Sequence, residues 1–153
     1  GADTPLKKAL VYGNSESADY LLAQGASASS SNKFGTSIFR HIFDGATSEG
    51  LEDPIGWLKK VLAKGARPTI EDVISLFALI SNSDIDDESD LWLVASTERL
   101  LSEINPEDVD LEDIDSEELG EEVEGSYDSA PEITQAIIDK IEVFGIDVHD
   151  LID

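Results

Sequence analysis

The sequence predicts an all-α fold, built as a short stack of helix–turn–helix repeats. Three observations support this prediction: an internal repeat, apolar residues at helical spacing, and glycines where helices should end. The repeat begins at Thr4-Pro5-Leu6 and again at Ser37-Ile38-Phe39, an interval of 33 residues. It closes at Gly25-Ala26 and again at Gly65-Ala66. Because a unit of this size cannot bury its apolar face alone, such units stack on one another.

The first repeat predicts two antiparallel helices. Pro5 lies in the first turn of the first helix, where its missing N–H costs nothing, and Thr4 is the candidate cap. Its apolar residues have the i, i+3, i+4 spacing of a buried face: Leu6, Ala9 and Leu10. For the second helix we expect Ser15 or Ser17 as the cap and Gly25 as the end, since glycine accepts the left-handed conformation found there.

The second repeat predicts a longer connection between its two helices. Its first helix has the apolar face Ile38, Phe39, Ile42 and Phe43. From Gly25 to Gly65 there are 40 residues, seven more than the repeat interval. We expect the additional residues to form a loop from Asp44 to Asp53, before Pro54. A tolerated surface insertion is the favoured interpretation, and a loop on the binding face is the alternative.

The repeats resemble the ankyrin-repeat family, clearly over residues 3–66 and weakly over residues 67–104. The motifs of the first repeat that match are Thr4-Pro5-Leu6, Gly13, Leu21-Leu22 and Gly25-Ala26. The resemblance implies a stack of ankyrin-like repeats that binds other proteins. A generic helical bundle with chance spacing is the alternative.

The resemblance also implies where a partner would bind, namely on the loops between repeats and on the exposed side of each first helix. The partner-binding candidates by position are Lys7, Tyr12, Lys33, Phe34, Arg40 and His41. Lys7 and Arg40 stand where the family often has a histidine that supports the fold, so a structural role is their alternative. For Tyr12 and Phe34, the alternative is packing against the repeats.

Three more helices are predicted after the second repeat. One starts at Thr69, the next runs from about Glu88 to Ile104, and the last starts at Pro131 with Ser129 as a candidate cap. Their apolar residues are Val73, Ile74, Leu76, Phe77 and Ile80 in the first, Leu91, Trp92, Val94, Ala95, Leu100, Leu101 and Ile104 in the second, and Ile133, Ile137, Ile138 and Ile141 in the last.

Residues 103–128 contain thirteen acids and no base. Such a run repels itself and is usually disordered or a solvated tail. Leu111 and Ile114 nevertheless have the spacing of one side of a short helix, which we expect Gly120 and Gly125 to interrupt.

The predicted organisation therefore has three parts. Residues 1–104 form ankyrin-like helical repeats, and residues 105–129 form an acidic segment that is a candidate for disorder. Residues 130–153 form a C-terminal helix that packs on the stack or caps it.

The negative charge lies almost entirely in the C-terminal half. The net charge is -24, but residues 1–80 carry 8 Lys/Arg and 9 Asp/Glu, against 2 and 25 in residues 81–153. This imbalance argues against direct binding of nucleic acid or of an anionic membrane. It favours a basic protein partner, steered toward the acidic half. The candidate contacts there are Asp110, Glu112, Asp113 and Asp115.

No catalytic, metal or cofactor site is predicted. The chain has no cysteine nucleophile, no Gly-rich phosphate loop, and only two histidines, His41 and His149, far apart in sequence. Residues 84–90 have the acids of a calcium loop, but Ser89 stands at the position of the required glycine and Ala95 at that of the final acid. We expect these acids instead to favour the N-terminus of the following helix.

The predicted function is thus a non-catalytic protein–protein interaction module that binds a basic partner. The alternative is an acidic inhibitor, such as an immunity-type protein, that mimics nucleic acid and blocks a nuclease or another nucleic-acid enzyme. A solubilising acidic linker without a partner is a third possibility. The absence of cysteine favours a reducing compartment, the cytoplasm, with the nucleus as an alternative. The absence of methionine predicts that Gly1 is not the natural start.

Overall fold

A computed structural model describes residues 5–26, 37–112 and 114–152 of the chain. All regular secondary structure in these residues is helical, so the predicted all-α class is confirmed. The α-helices are α1 Pro5–Val11, α2 Ser15–Ala23, α3 Ile38–Ser48, α4 Pro54–Ala63, α5 Ile70–Asn82, α6 Trp92–Ser102, α7 Ser116–Ser129, α8 Pro131–Phe144 and α9 Val148–Ile152, with a 3-10 turn at Pro106–Asp108. Thr4, Lys33, Phe34 and Asp113 lie outside the described residues.

The chain divides into two compact units, the first from Gly1 to Arg67 and the second from Pro68 to Asp153. In the first unit α1 pairs with α2, α3 pairs with α4, and α1 packs against α3. Its core side chains include Leu6, Leu10, Ile38, Phe39, Ile42, Phe43, Trp57, Leu58 and Val61. The apolar faces predicted for the first helix of each repeat are therefore confirmed as buried.

Helix α3 is longer than the sequence predicts. The loop expected from Asp44 to Asp53 is wrong at its start, because α3 continues to Ser48. Gly45 lies in this additional part of the helix and faces α1: a Cβ at this position would overlap the carbonyl oxygen of Leu10. Glycine at this position thus lets the two helix backbones approach closely.

The start of α2 also differs from the prediction. Its cap is Asn14, whose side-chain oxygen accepts a hydrogen bond from the backbone N–H of Ser17 at 3.2 Å. Ser15 and Ser17 lie inside the first turn, so neither serves as the cap. Gly25 follows the helix with φ 91°, as expected for a glycine after a helix end.

The second unit repeats the pairing seen in the first. Helix α5 pairs with α6, α7 pairs with α8, α5 packs against α7, and α6 packs against α8, while α9 contacts both α7 and α8. The contact of α5 with α7 is the most extensive. The core side chains of these helices include Val73, Leu76, Phe77, Ile80, Leu93, Leu100, Leu119, Val123, Ile133, Ile137, Ile138 and Ile141.

Helix α6 starts later than predicted and buries a different face. It begins at Trp92, and Leu91 before it is 60% exposed. The buried residues are Leu93, Ser96, Thr97, Leu100 and Leu101. Two of these are polar, and the hydroxyl of Thr97 is satisfied by donating to the carbonyl of Leu93 at 2.9 Å. Because the buried face of α6 includes two hydroxyl residues, the spacing of apolar residues alone does not identify this face.

The acidic segment, whose order the sequence leaves open, is helical from Ser116 to Ser129. Gly120 and Gly125 lie within α7 rather than interrupting it. Leu119 and Val123 are buried, and Gly125 lies against Ser81 of α5, where a Cβ would come within 3.0 Å of the Ser81 Cβ. Tertiary contacts thus keep this segment helical, although its local sequence is unfavourable for a helix.

A buried chain of hydrogen bonds joins α7 to α8. The hydroxyl of Thr134 donates to the carbonyl of Ala130 at 2.7 Å. Since its single proton is used there, Ser126 is the donor in the short contact between the two hydroxyls. Ser126 and Thr134 are both fully buried, so the hydroxyl of Ser126 depends on Thr134 as its partner.

The two glycines of α7 provide a matched pair of substitutions. Gly125→Ala should destabilise the chain by about 1–3 kcal/mol, because the added methyl group forces α7 away from α5. Gly120→Ala should be neutral or stabilising by up to about 1 kcal/mol, since the new Cβ lies 3.7 Å from Ile152 in ordinary contact and alanine favours a helix. Urea unfolding of both variants measures the difference, and equal effects would contradict the close approach.

Candidate functional site

The two units differ sharply in charge. The first carries 8 Lys/Arg and 7 Asp/Glu, while the second carries 2 and 27, a net charge of -25 in 86 residues. The bases of the second unit are Arg99 and Lys140, which lie 3.7 Å from Glu103 and 3.2 Å from Glu98. The charge imbalance predicted for the C-terminal half therefore falls on one compact body, and its acids are the candidates for a functional surface.

Some of these acids shape the loop between α5 and α6. Asp86 accepts a hydrogen bond from the backbone N–H of Glu88 at 2.8 Å. Asp90 accepts one from the N–H of Asp86 at 2.9 Å and one from the indole Nε1 of Trp92 at 3.1 Å. These carboxylates therefore hold the turn that leads into α6.

Asp87 has a different role, because it caps a helix 45 residues further along the chain. Its carboxylate oxygens accept from the backbone N–H of Ile133 at 3.0 Å and of Glu132 at 3.4 Å. The cap expected from Ser129 is wrong, since Ser129 is the last residue of α7. No sequence signal identifies Asp87, because the helix that it caps is distant in sequence.

The segment between α6 and α7, residues 103–115, is here called the acidic linker; it has seven acids and no base. Asp110 accepts from the N–H of Glu112 at 3.0 Å, and Asp115 accepts from the N–H of Glu118 at 3.1 Å and caps α7. The exposed acids of the linker are Glu103, Glu107, Asp108, Asp110, Glu112 and Asp115. Three of the four acids predicted as contacts thus lie at the surface, while Asp113 is outside the described residues.

An apolar side chain stands among these acids. Leu111 is 37% exposed, between Asp110 and Glu112, and Val109 and Ile114 are half-buried. The linker therefore presents carboxylates together with one accessible apolar group.

The candidates on the first unit separate into covered and accessible side chains. Lys7 is 1% exposed and His41 is 5% exposed, and the ring Nδ1 of His41 donates to the carbonyl of Ser37 at 2.8 Å. A covered side chain cannot reach a partner without a rearrangement, which favours a structural role for both. Tyr12, 70% exposed, and Arg40 are accessible.

The described residues contain no group of three or more His, Cys, Asp or Glu arranged to hold a metal ion. A shallow depression at the end of α8 is lined by Glu142, Gly145, Ile146, Asp147 and His149. Within the same described ranges, no helix has the length and apolar character needed to cross a membrane.

The chain matches no protein-family model, no curated protein and no solved structure. Its function must therefore be inferred from its own charges, contacts and exposed side chains.

Substituting Asp87 tests its role as the cap of α8. Asp87→Ala should lower the free energy of unfolding by about 1 kcal/mol, the usual loss for a capping side chain. Asp87→Asn keeps one acceptor oxygen and should cost less. Asp84→Ala, at an exposed position in the same loop, should change stability by less than about 0.5 kcal/mol. Urea unfolding that gives the same loss for Asp84→Ala as for Asp87→Ala would rule out the cap.

The burial of Asp44 predicts that the stability of the first unit depends on pH. Burial raises the pKa of its carboxyl above the usual value, against the opposing charges of Arg40 and His41. The folded state thus favours the neutral acid. Its contribution to stability is complete below the unfolded pKa and is lost as the pH rises through the folded pKa.

Asp44→Asn removes this ionisation. The variant should be slightly more stable than the wild type at pH 7, by a few tenths of a kcal/mol given the exposure of the site. The difference should shrink as the pH falls toward about 4, the usual pKa of an aspartate, and should be gone below it. Urea unfolding at several pH values measures this difference, and a gap that widens toward acid would show the opposite sign.

Proposed function

We propose that the chain is a non-catalytic protein-interaction module of ankyrin-like repeats that binds a basic protein through its acidic second unit. The observation that carries the proposal is the acidic linker, whose exposed carboxylates lie in a unit with 27 acids and two bases. Carboxylates in such excess create a negative potential that attracts cationic surfaces.

The arrangement of helices supports the repeat part of the proposal. In each unit two helix pairs pack through their first helices, α1 against α3 and α5 against α7. Stacked pairs of this kind leave loops and one helix face open to partners, as repeat proteins generally do. The 33-residue internal repeat of the sequence agrees with this arrangement.

The acidic linker combines two properties that a binding surface needs. Its carboxylates would accelerate encounter with a basic protein and would make the complex sensitive to salt. Leu111 would supply an apolar contact, whose burial against a partner would add to the affinity. The fixed turns at Asp110 and Asp115 would reduce the entropy lost on binding.

A pair of charge-matched variants tests the proposal without disturbing the fold. The linker variant carries Asp108→Asn, Asp110→Asn, Glu112→Gln and Asp115→Asn. The control variant carries Asp84→Asn, Glu88→Gln, Glu132→Gln and Glu142→Gln, all at exposed positions of the second unit. Each variant loses four negative charges, and the amide oxygens at 110 and 115 can still accept the hydrogen bonds of the turns.

The affinity of a basic protein captured from source lysate should fall roughly tenfold or more for the linker variant and much less for the control variant. Titration calorimetry at low and high salt measures both affinities. Equal losses in the two variants would show that only total charge matters. A complex that resists salt and keeps its affinity in the linker variant would place binding on the repeat face, near Tyr12 and Arg40, and would overturn the acidic site.

An acidic inhibitor is the second candidate function, favoured by a net charge of -25 confined to one unit. Such a protein would cover the basic cleft of a nuclease or another nucleic-acid enzyme. The two candidate functions differ in how duplex DNA would compete with the chain. An inhibitor would be displaced from its partner by duplex DNA, and it would stop the partner's activity on DNA. A partner that binds the chain and DNA together would exclude the inhibitor.

A further inference from the structure

We propose that α7 is a charge-sensitive latch, a helix whose docking in the second unit is controlled by screening of its own carboxylates. At low ionic strength α7 opens locally more often than the other long helices of the unit, and salt closes it. This inference concerns the chain alone and does not depend on the proposed partner.

The first support is the charge pattern of α7. The helix carries six acids and no base: Glu117, Glu118, Glu121, Glu122, Glu124 and Asp128. Side chains three or four residues apart are neighbours on a helix, and like charges at these spacings repel. Five such pairs occur in α7, namely 117/121, 118/121, 118/122, 121/124 and 124/128. Glu121 takes part in three of them.

The helices packed against α7 add little positive charge. Their ionisable groups are Glu71 and Asp72 on α5, Glu132, Asp139, Lys140 and Glu142 on α8, and His149 and Asp150 on α9. The ammonium group of Lys140 lies 3.2 Å from the carboxylate of Glu98 in α6, so its positive charge is paired with that carboxylate. Packing therefore brings more negative charge toward α7, and mobile cations in solution weaken the resulting repulsion.

The second support is the small apolar anchor of α7. The buried residues of this 14-residue helix are Leu119, Val123 and Ser126. Helix α8 has the same length but buries four isoleucines. Gly120 further weakens α7, since glycine inside a helix costs conformational entropy and a Cβ at this position would meet only Ile152, in ordinary contact. Buried apolar side chains thus contribute less to the docking of α7 than to that of α8, which lowers the cost of local opening.

Opening of α7 would have a large effect on its surroundings. Helix α5 would lose its most extensive helix contact, and α8 would lose the hydrogen bond between Ser126 and Thr134. Apolar surface of the second unit would thereby become accessible, and more of it as the ionic strength of the solution falls.

Hydrogen exchange of the full chain, followed by mass spectrometry at about 20 mM and about 500 mM NaCl, tests the latch, because the Debye length changes several-fold over this range. Peptides from α7 should exchange roughly tenfold more slowly at high salt, as expected when five weak repulsions are screened together. Peptides from α8 and from α4 in the first unit, each compared with its unfolded rate, should change much less.

A charge variant of α7 gives the second arm of the test. Glu121→Gln removes three of the five repulsive pairs, so α7 should exchange more slowly at low salt and should respond less to added salt. Glu107→Gln makes the same change of charge outside α7 and should leave the exchange of α7 close to wild type. Equal protection of α7 and α8 at low salt, a parallel salt response of all helices, or equal effects of the two variants would overturn the proposal.

Discussion

The charge of the second unit is the constraint to which the rest of its structure responds. It contains 27 acids and two bases in one compact body, so mutual repulsion opposes the apolar core. Three carboxylates are placed where negative charge is favourable. Asp72 accepts from the N–H of Thr69 at 2.8 Å, Asp87 caps α8, and Asp115 caps α7. At a helix N-terminus, the macrodipole and the unpaired N–H groups favour a carboxylate. Acids that would otherwise only repel one another thus fix the starts of three helices.

The two units achieve their helix packing in the same way. In each, the first helices of successive pairs meet at a glycine, Gly45 against Leu10 and Gly125 against Ser81. Both contacts lie near the C-terminal ends of α1 and α5, which gives the units a common geometry despite their different charge. The absence of a side chain at these points lets helix backbones approach and increases van der Waals contact. In α7 this contact compensates for a small apolar face, and it helps to explain how so acidic a segment is helical.

The parts of the fold that the sequence predicts are those with a strong local pattern. Apolar spacing located α3, α5 and α8, and the glycines after α2 and α4 marked their ends. Helix α7 escaped prediction because its stability comes from α5 and α8, distant in sequence, rather than from its own acids and glycines. The cap supplied by Asp87 is likewise a long-range contact. Among the candidate contacts, exposure of Asp110, Glu112 and Asp115 follows from their charge, whereas burial of Lys7 depends on packing that a one-dimensional pattern does not reveal.

The two tryptophans allow the central role of charge to be measured directly, because Trp57 lies in the first unit and Trp92 in the second. Urea unfolding of Trp57→Phe and of Trp92→Phe, followed by the fluorescence of the remaining indole, reports each unit separately. If repulsion limits the second unit, the midpoint reported by Trp92 should rise clearly between about 20 mM and 500 mM NaCl, and that reported by Trp57 should hardly change. Equal shifts of the two midpoints, or no shift at Trp92, would contradict the view that the charge of the second unit governs its stability.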